Sequence, residues 1–166
     1  MSNLLDTFVV VSNSDIKLAR YLIRSHIEYF KITGNLHVIF FEKDRKAASI
    51  IESEYSNIKI HYVNSNNFNE YRHQMYLKLQ CHKFTDSEWI MILDADNLLI
   101  NPICLSDLNL KKPQWNYAPW DGVTSKWKED TANFINTNID FNFMSCPPFF
   151  LKRSILEQIN NDLPVE

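Results

Sequence analysis

Glycine is nearly absent from this 166-residue chain, which has only Gly34 and Gly122. Loops that press backbone amides against phosphates, such as the dinucleotide fingerprint and the P-loop, need several glycines at fixed spacing, so both are excluded. Any nucleotide must therefore be held through side chains and a metal. Cysteine is scarce too: Cys81, Cys104 and Cys146 are odd in number and far apart, which argues against a disulfide framework and a thiolate zinc site. They read as small buried hydrophobes. No apolar run reaches membrane-spanning length, and the first residues lack the basic start and long apolar stretch of a secretory signal. The expectation is a cytoplasmic protein without a membrane span. Positive charge is not in excess either, with 17 Lys and Arg against 20 Asp and Glu, and the basic residues are scattered, so nucleic acid is not an expected partner.

What the chain does have is 45% hydrophobic residues, enough for the core of one domain spanning residues 1–166. Its periodicities alternate between strand and helix. Thr7 to Ser12 is a β-prone run, and Ser14 or Asp15 can cap the helix after it. In that helix Ile16, Ala19, Ile23, Ile27 and Phe30 recur at helical spacing. Strands are predicted at 36–41 and 58–63, with a helix over 45–55 carrying Ala48, Ile51 and Tyr55 inward. A third helix, 70–84, leads into a strand at 89–93. This βαβαβ order predicts an α/β fold with parallel strands joined by right-handed crossovers; a mostly parallel sheet with the first strand near its centre is the expected arrangement.

The run Trp89-Ile-Met-Ile-Leu ends abruptly in Asp94-Ala-Asp96-Asn, and the chain then resumes with Leu98, Leu99 and Ile100. A buried strand ending in two carboxylates puts them on the edge where open α/β sheets bind ligands. Such a pair can hold a hard divalent cation, which in turn can neutralise a diphosphate. A solvated Asp-Asn turn is the plain alternative. On the third helix Tyr71, Gln74, Met75, Lys78 and Leu79 share one stripe, with Arg72 and Gln74 expected near the acidic pair and Lys78 about a turn deeper.

The ordered set Gln74-x-x-x-Lys78-Leu79, then Trp89 to Asp94-Ala-Asp96-Asn, then Asn101-Pro102, resembles the GT-A nucleotide-diphospho-sugar glycosyltransferases with their Asp-x-Asp motif. It is most similar to a bacterial and viral branch whose helix carries a Gln-rich segment and a Lys-Leu pair, and in which a later strand with paired prolines precedes a helix, as in Ser145-Cys-Pro147-Pro148 to Ser154. The resemblance runs from about Thr7 to Ile159. It implies a GT-A-like, Rossmann-like three-layer α/β/α sandwich that moves a sugar from a UDP- or GDP-linked donor to an acceptor glycan, lipid or protein, with Mn²⁺ or Mg²⁺ as cofactor. Asp96 would bind the metal directly; Asp94 would contact the donor and help hold the ion. Val11, Ser12 and Asn13 would lie under the nucleobase, while Lys78 and Gln74 would face the donor sugar or diphosphate, Lys78 also counting among the catalytic groups.

Downstream, Trp115-Asn-Tyr-Ala-Pro-Trp120-Asp121-Gly122 combines indoles, a phenol and a carboxylate suited to a sugar face. Trp120 and Asp121 are the candidate acceptor residues, and Asp121 the candidate general base. Core packing and an Asp-Gly turn are the structural alternatives. The charge run Lys126 to Asp130 opens a helix to about Ile135 with a solvated face. All five histidines precede the acidic pair. The coordination sphere is therefore left to donor diphosphate and water, to a second polypeptide such as another copy of the chain, or to an acceptor segment missing from this one. The competing readings are a haloacid dehalogenase-like phosphatase, in which Asp94 would be the phosphorylated nucleophile, and a non-catalytic module that binds a metal or sugar nucleotide.

Overall fold

The computed structural model describes residues 4–64, 70–108, 118–122, 124–142 and 147–162. Among the described residues seven strands and five helices follow one another: β1 (Leu5–Val11), α1 (Ile16–Tyr29), β2 (Leu36–Phe41), α2 (Arg45–Glu54), β3 (Lys59–Val63), α3 (Glu70–Leu79), β4 (Trp89–Leu93), β5 (Ala118–Pro119), α4 (Lys128–Ile135), β6 (Phe141–Asn142), β7 (Phe149–Lys152) and α5 (Arg153–Asp162). The main sheet has the order β3-β2-β1-β4-β7, and β5 pairs only with β6. Parallel pairing joins β1 to β2, β1 to β4 and β2 to β3, while β7 runs antiparallel to β4. The first strand is central, as expected.

Strands β1, β2 and β4 are buried at every position because helices cover both faces of the sheet. Alternate residues separate the two half-cores. Leu5, Val9, Val38, Phe40, Met91 and Leu93 pack with Ile16, Ala19, Leu22 and Ile23 of α1 and Ala48 and Ile51 of α2. On the other face Phe8, Val10, Ile39, Phe41, Ile90 and Ile92 meet Leu77 of α3, Cys81 and Leu156 of α5. The result is a three-layer α/β/α arrangement. The end of α3 is tied to α5 where Asn160 Nδ2 donates to the Leu79 carbonyl at 2.8 Å and Gln80 donates to the Asn160 side chain. Among the described residues, no helix is long and apolar enough to cross a membrane.

Several expectations are corrected. In α1 the inward positions are 16, 19, 22, 23 and 26, so His26 is buried and Ile27 faces out at 42% exposure. His26 can take the interior place because its Nε2 meets Thr7 Oγ1 at 3.0 Å and its ring stacks on Phe30. Neither Ser14 nor Asp15 caps α1 through its side chain; a 3-10 turn over Asn13–Asp15 intervenes, with Ser12 Oγ donating to Asp15 Oδ2 at 2.6 Å. The third helix ends at Leu79 and continues as a 3-10 turn, Cys81–Phe84. Its core stripe is His73 and Leu77 rather than Tyr71 and Met75, since His73 packs on Phe41 while Tyr71 is exposed. Of the cysteines, Cys81 is buried and its thiol is pushed up by burial, but Cys104 is exposed at the start of the turn Leu105–Asp107, and Cys146 lies outside the described residues.

The amino-terminal edge of the sheet is closed by a buried polar cluster. Asp6 accepts from the Asn35 amide at 2.7 Å and from Thr85 Oγ1 at 2.5 Å, and contacts His37 Nε2 at 3.1 Å; His37 Nδ1 in turn meets His61 Nε2 at 2.9 Å. Burial opposes ionisation of Asp6, but hydrogen bonds from His37, the Asn35 amide, Thr85 and Ser87 outweigh it and hold the carboxyl well below the usual carboxylate range. Burial, then the charges of His37 and Lys59, push His61 down to about 4; burial alone brings His26 to about 4.

Two predictions follow from this packing. A Cβ on Gly34 would meet the Leu5 carbonyl oxygen at 1.8 Å, whereas one on Gly122 would meet nothing within 4 Å. Gly34→Ala should therefore cost about 2–3 kcal/mol in urea denaturation and Gly122→Ala under about 0.5 kcal/mol; equal effects would contradict the close approach. Second, His26 and His61 stay neutral in the folded chain while the unfolded chain protonates near 6.5. Stability is then full above pH 6.5 and falls as the pH drops toward 4, with about 3 kcal/mol of the loss due to His26 at about 1.4 kcal/mol per pH unit. Asp6 acts in a lower window, its contribution fading only below its ordinary value of 3.8. His26→Gln should flatten the decline between pH 6.5 and 4.5 in denaturant midpoints, and a slope identical to wild type would refute the assignment.

Candidate functional site

In the main sheet, chain connections run from β1 outward to β2 and β3, then return to place β4 on the other side of β1. The carboxyl ends of β1 and β4 thus flank the point where strand order reverses, the usual crevice for ligands in open α/β sheets. Their register pairs Val9 with Leu93, so β4 ends two residues short of β1, which runs on beside β2 to Val11. Val11 is buried, Ser12 is 5% exposed and Asn13 is exposed on one side of this point; Asp94, Ala95 and Asp96 lie on the other.

A tight turn presents the acidic pair. The Asp94 amide donates to Asn97 Oδ1 at 2.9 Å and the Asn97 amide returns a bond to the Asp94 carbonyl at 3.0 Å. Ala95 is buried in the half-core beneath α1 and α2, which leaves the aspartates on either side of it accessible, Asp94 half-buried and Asp96 exposed. The chain is anchored again two residues past Asn97, where the Leu99 amide donates to Ser25 Oγ of α1 at 3.1 Å. The segment is thus an Asp-Asn turn that presents two carboxylates at the carboxyl edge of the sheet.

Lys78 is the helix residue that meets the pair. Its ammonium forms an ion pair with Asp94 Oδ1, with the Lys78 side chain 12% and the Asp94 side chain 37% exposed. The spacing argument placed Lys78 deeper than Arg72 and Gln74, but its long stem carries the charge back to the sheet edge. Gln74 is half-buried on the same helix. Trp120 and Asp121 follow the short β5–β6 ladder, which is separate from the main sheet. There Trp120 Nε1 donates to the Ile139 carbonyl at 3.3 Å, and Asp121 Oδ1 accepts from the Thr124 amide at 2.7 Å and from Thr124 Oγ1 at 2.8 Å. Trp115 and Tyr117 lie outside the described residues.

Among the described residues no three His, Cys, Asp or Glu side chains converge as a metal-binding group. The two aspartates nonetheless fit a divalent ion shared with a diphosphate, because such ions take hard oxygen ligands and are commonly held by one or two carboxylates, with phosphates and water filling the remaining positions.

Sequence reasoning passed over Asp44, which follows β2 on this same edge. It stands immediately before α2, where an aspartate usually caps the helix, yet it makes no side-chain cap bond. The residue is 9% exposed, and its Oδ2 has no hydrogen-bond partner among the described residues. An apolar strand running into an acidic turn was the available signal, the same pattern that marks Asp94.

No family model matches the sequence, and no curated protein is significantly similar to it. Among solved structures the chain is similar to a mannosyltransferase from Pyrobaculum calidifontis in complex with GDP-Man and Mn²⁺, at 14% identity and a TM-score of 0.44, over 59% of this chain and 29% of that one. The likeness thus spans less than a third of the mannosyltransferase chain.

A buried carboxylate oxygen without a donor destabilises the fold. Asp44→Asn should therefore leave the urea midpoint unchanged or raise stability by up to about 1 kcal/mol. A loss greater than that would show that Oδ2 is holding the structure together.

Proposed function

We propose that this chain is a GT-A-type glycosyltransferase domain that binds a UDP- or GDP-linked sugar at the β1/β4 switch point together with Mn²⁺ or Mg²⁺, and passes the sugar to an acceptor. The observation that carries this reading is the Lys78–Asp94 ion pair at the carboxyl end of β4, with the exposed Asp96 two residues on, beside the end of the central strand. Asp96 is the more accessible carboxylate and is assigned direct contact with the cation, with Asp94 sharing it and touching the donor. A divalent ion held there offsets the charge that grows on the departing nucleoside diphosphate.

The other assignments follow from position. Val11, Ser12 and Asn13 form the floor beneath the base, where a buried hydroxyl and an exposed amide meet the crevice. Asp44 adds a carboxylate acceptor at the neighbouring strand end, suited to hydroxyls of the ligand. Lys78 and Gln74 serve the diphosphate and donor sugar, and Lys78 stabilises the leaving group in the catalytic step. Trp120 stacks on the acceptor, while Asp121, oriented by Thr124, takes the proton from its attacking hydroxyl. Where the acceptor side needs more than these residues, another copy of the chain or a further segment supplies it.

Thermal unfolding with Mn²⁺ and a panel of nucleoside diphosphates tests the reading. UDP or GDP at a hundredfold excess over Kd should stabilise the protein by about 2.7 kcal/mol, and only with the metal present. Asp96→Ala, at an exposed position, should unfold within about 0.5 kcal/mol of wild type yet lose that stabilisation. Equal stabilisation of both proteins would count against the assignment.

A further inference from the structure

The Lys78–Asp94 ion pair has a consequence for how ligands enter the site. We infer that Lys78 is a built-in counterion that competes with the divalent cation for Asp94, so that metal binds tightly only once a diphosphate draws the ammonium away. This inference rests on the reading of Asp94 and Asp96 as the metal-binding pair.

The geometry supplies the competition. The Lys78 ammonium pairs directly with Asp94 Oδ1, and its side chain is only 12% exposed, so solvent screens the charge poorly. A divalent ion coordinated by Asp94 would lie a few ångströms from that ammonium and be repelled by it. Two features let the lysine yield. Its charge sits on a flexible stem rooted in α3, and Asp94 is 37% exposed, so the pair opens onto the ligand edge instead of being sealed in the core. Oxygens of a diphosphate arriving on that edge offer the ammonium a new partner and release Asp94 to the metal. Cation and diphosphate then each strengthen the other's binding, and the coupling is reciprocal. Lys78 is in this sense a positioning residue for the metal as well as a ligand for phosphate.

The test measures Mn²⁺ binding alone, by calorimetry and by the spectrum of free Mn²⁺, on the full chain and four variants, with circular dichroism confirming that each is folded. Lys78→Met keeps the apolar stem and removes the charge; it should bind Mn²⁺ about tenfold more tightly than wild type, which corresponds to about 1.4 kcal/mol. Lys78→Gln serves if the methionine variant fails to fold and should shift in the same direction. Lys78→Arg keeps the charge and should match wild type. Asp96→Ala should weaken Mn²⁺ binding. Lysine variants that bind Mn²⁺ no more tightly than wild type, while Asp96→Ala still weakens it, would overturn the counterion inference alone. Absence of Mn²⁺ binding by wild type and both neutral variants would overturn it together with the metal-site reading.

Discussion

Parallel pairing of β1 with both β2 and β4 is the constraint on which the rest of the structure depends. A strand bonded on both sides and covered on both faces must be apolar at nearly every position, and Leu5–Val11 is buried throughout. Parallel neighbours also force each connection to cross back over the sheet, which is why α1, α2 and α3 exist and why they cover both faces. With β1 to β4 pointing the same way, the turns that leave their carboxyl ends all emerge at one edge. Ser12, Asp44 and Asp94 are far apart in sequence but share that edge for topological reasons, before any side chain is considered.

Much of this was legible because the constraint writes itself into composition. Continuous apolar runs of four or five residues mark β1 (Phe8–Val11), β2 (Val38–Phe41) and β4 (Trp89–Leu93), and Asp94 stands out because it ends such a run. The βαβαβ order accounts for the parallel pairing, while β1 is central because β4 returns to its other side. What the sequence could not show was the rotation of α3 about its own axis. Tyr71, Met75 and Leu79 look as apolar as His73 and Leu77, and only the ring contact of His73 with Phe41 decides which stripe faces the sheet. The same ambiguity hid His26, a polar residue made acceptable inside by Thr7 one layer away. Cys104 was misjudged for a related reason: residue type predicts average burial, but a cysteine at a surface turn follows its backbone position.

The acidic pair illustrates how one motif can satisfy a structural and a chemical demand together. Asn97 closes the turn through its side chain and its amide, fixing where β4 ends, and Ala95 anchors the segment to the half-core. These contacts use the backbone of Asp94, and among the described residues the two carboxylates meet only the Lys78 ammonium, on Asp94. Restraint of the backbone with accessible side chains is what a ligand-binding turn requires, since side chains held by the backbone's own bonding would have to be released before binding.

The two edges of the sheet treat the same residue type in opposite ways, and this contrast is the strongest internal argument for where chemistry occurs. At the amino-terminal edge Asp6 is buried and receives hydrogen bonds from the backbone, a hydroxyl and an imidazole, so its charge is fully used in holding β1, β2 and the segment before β4 together. At the carboxyl-terminal edge Asp44 keeps an oxygen without a donor among the described residues, Asp96 is exposed, and Asp94 meets a single flexible ammonium. Donors suited to satisfying carboxylates exist in this chain and are placed with care at the other edge, so acids can be satisfied here. Water meets the exposed Asp96 and Lys78 meets Asp94, so the stability cost at this edge falls on the buried Asp44 oxygen, and natural proteins tolerate such a cost chiefly where a ligand completes the bonding.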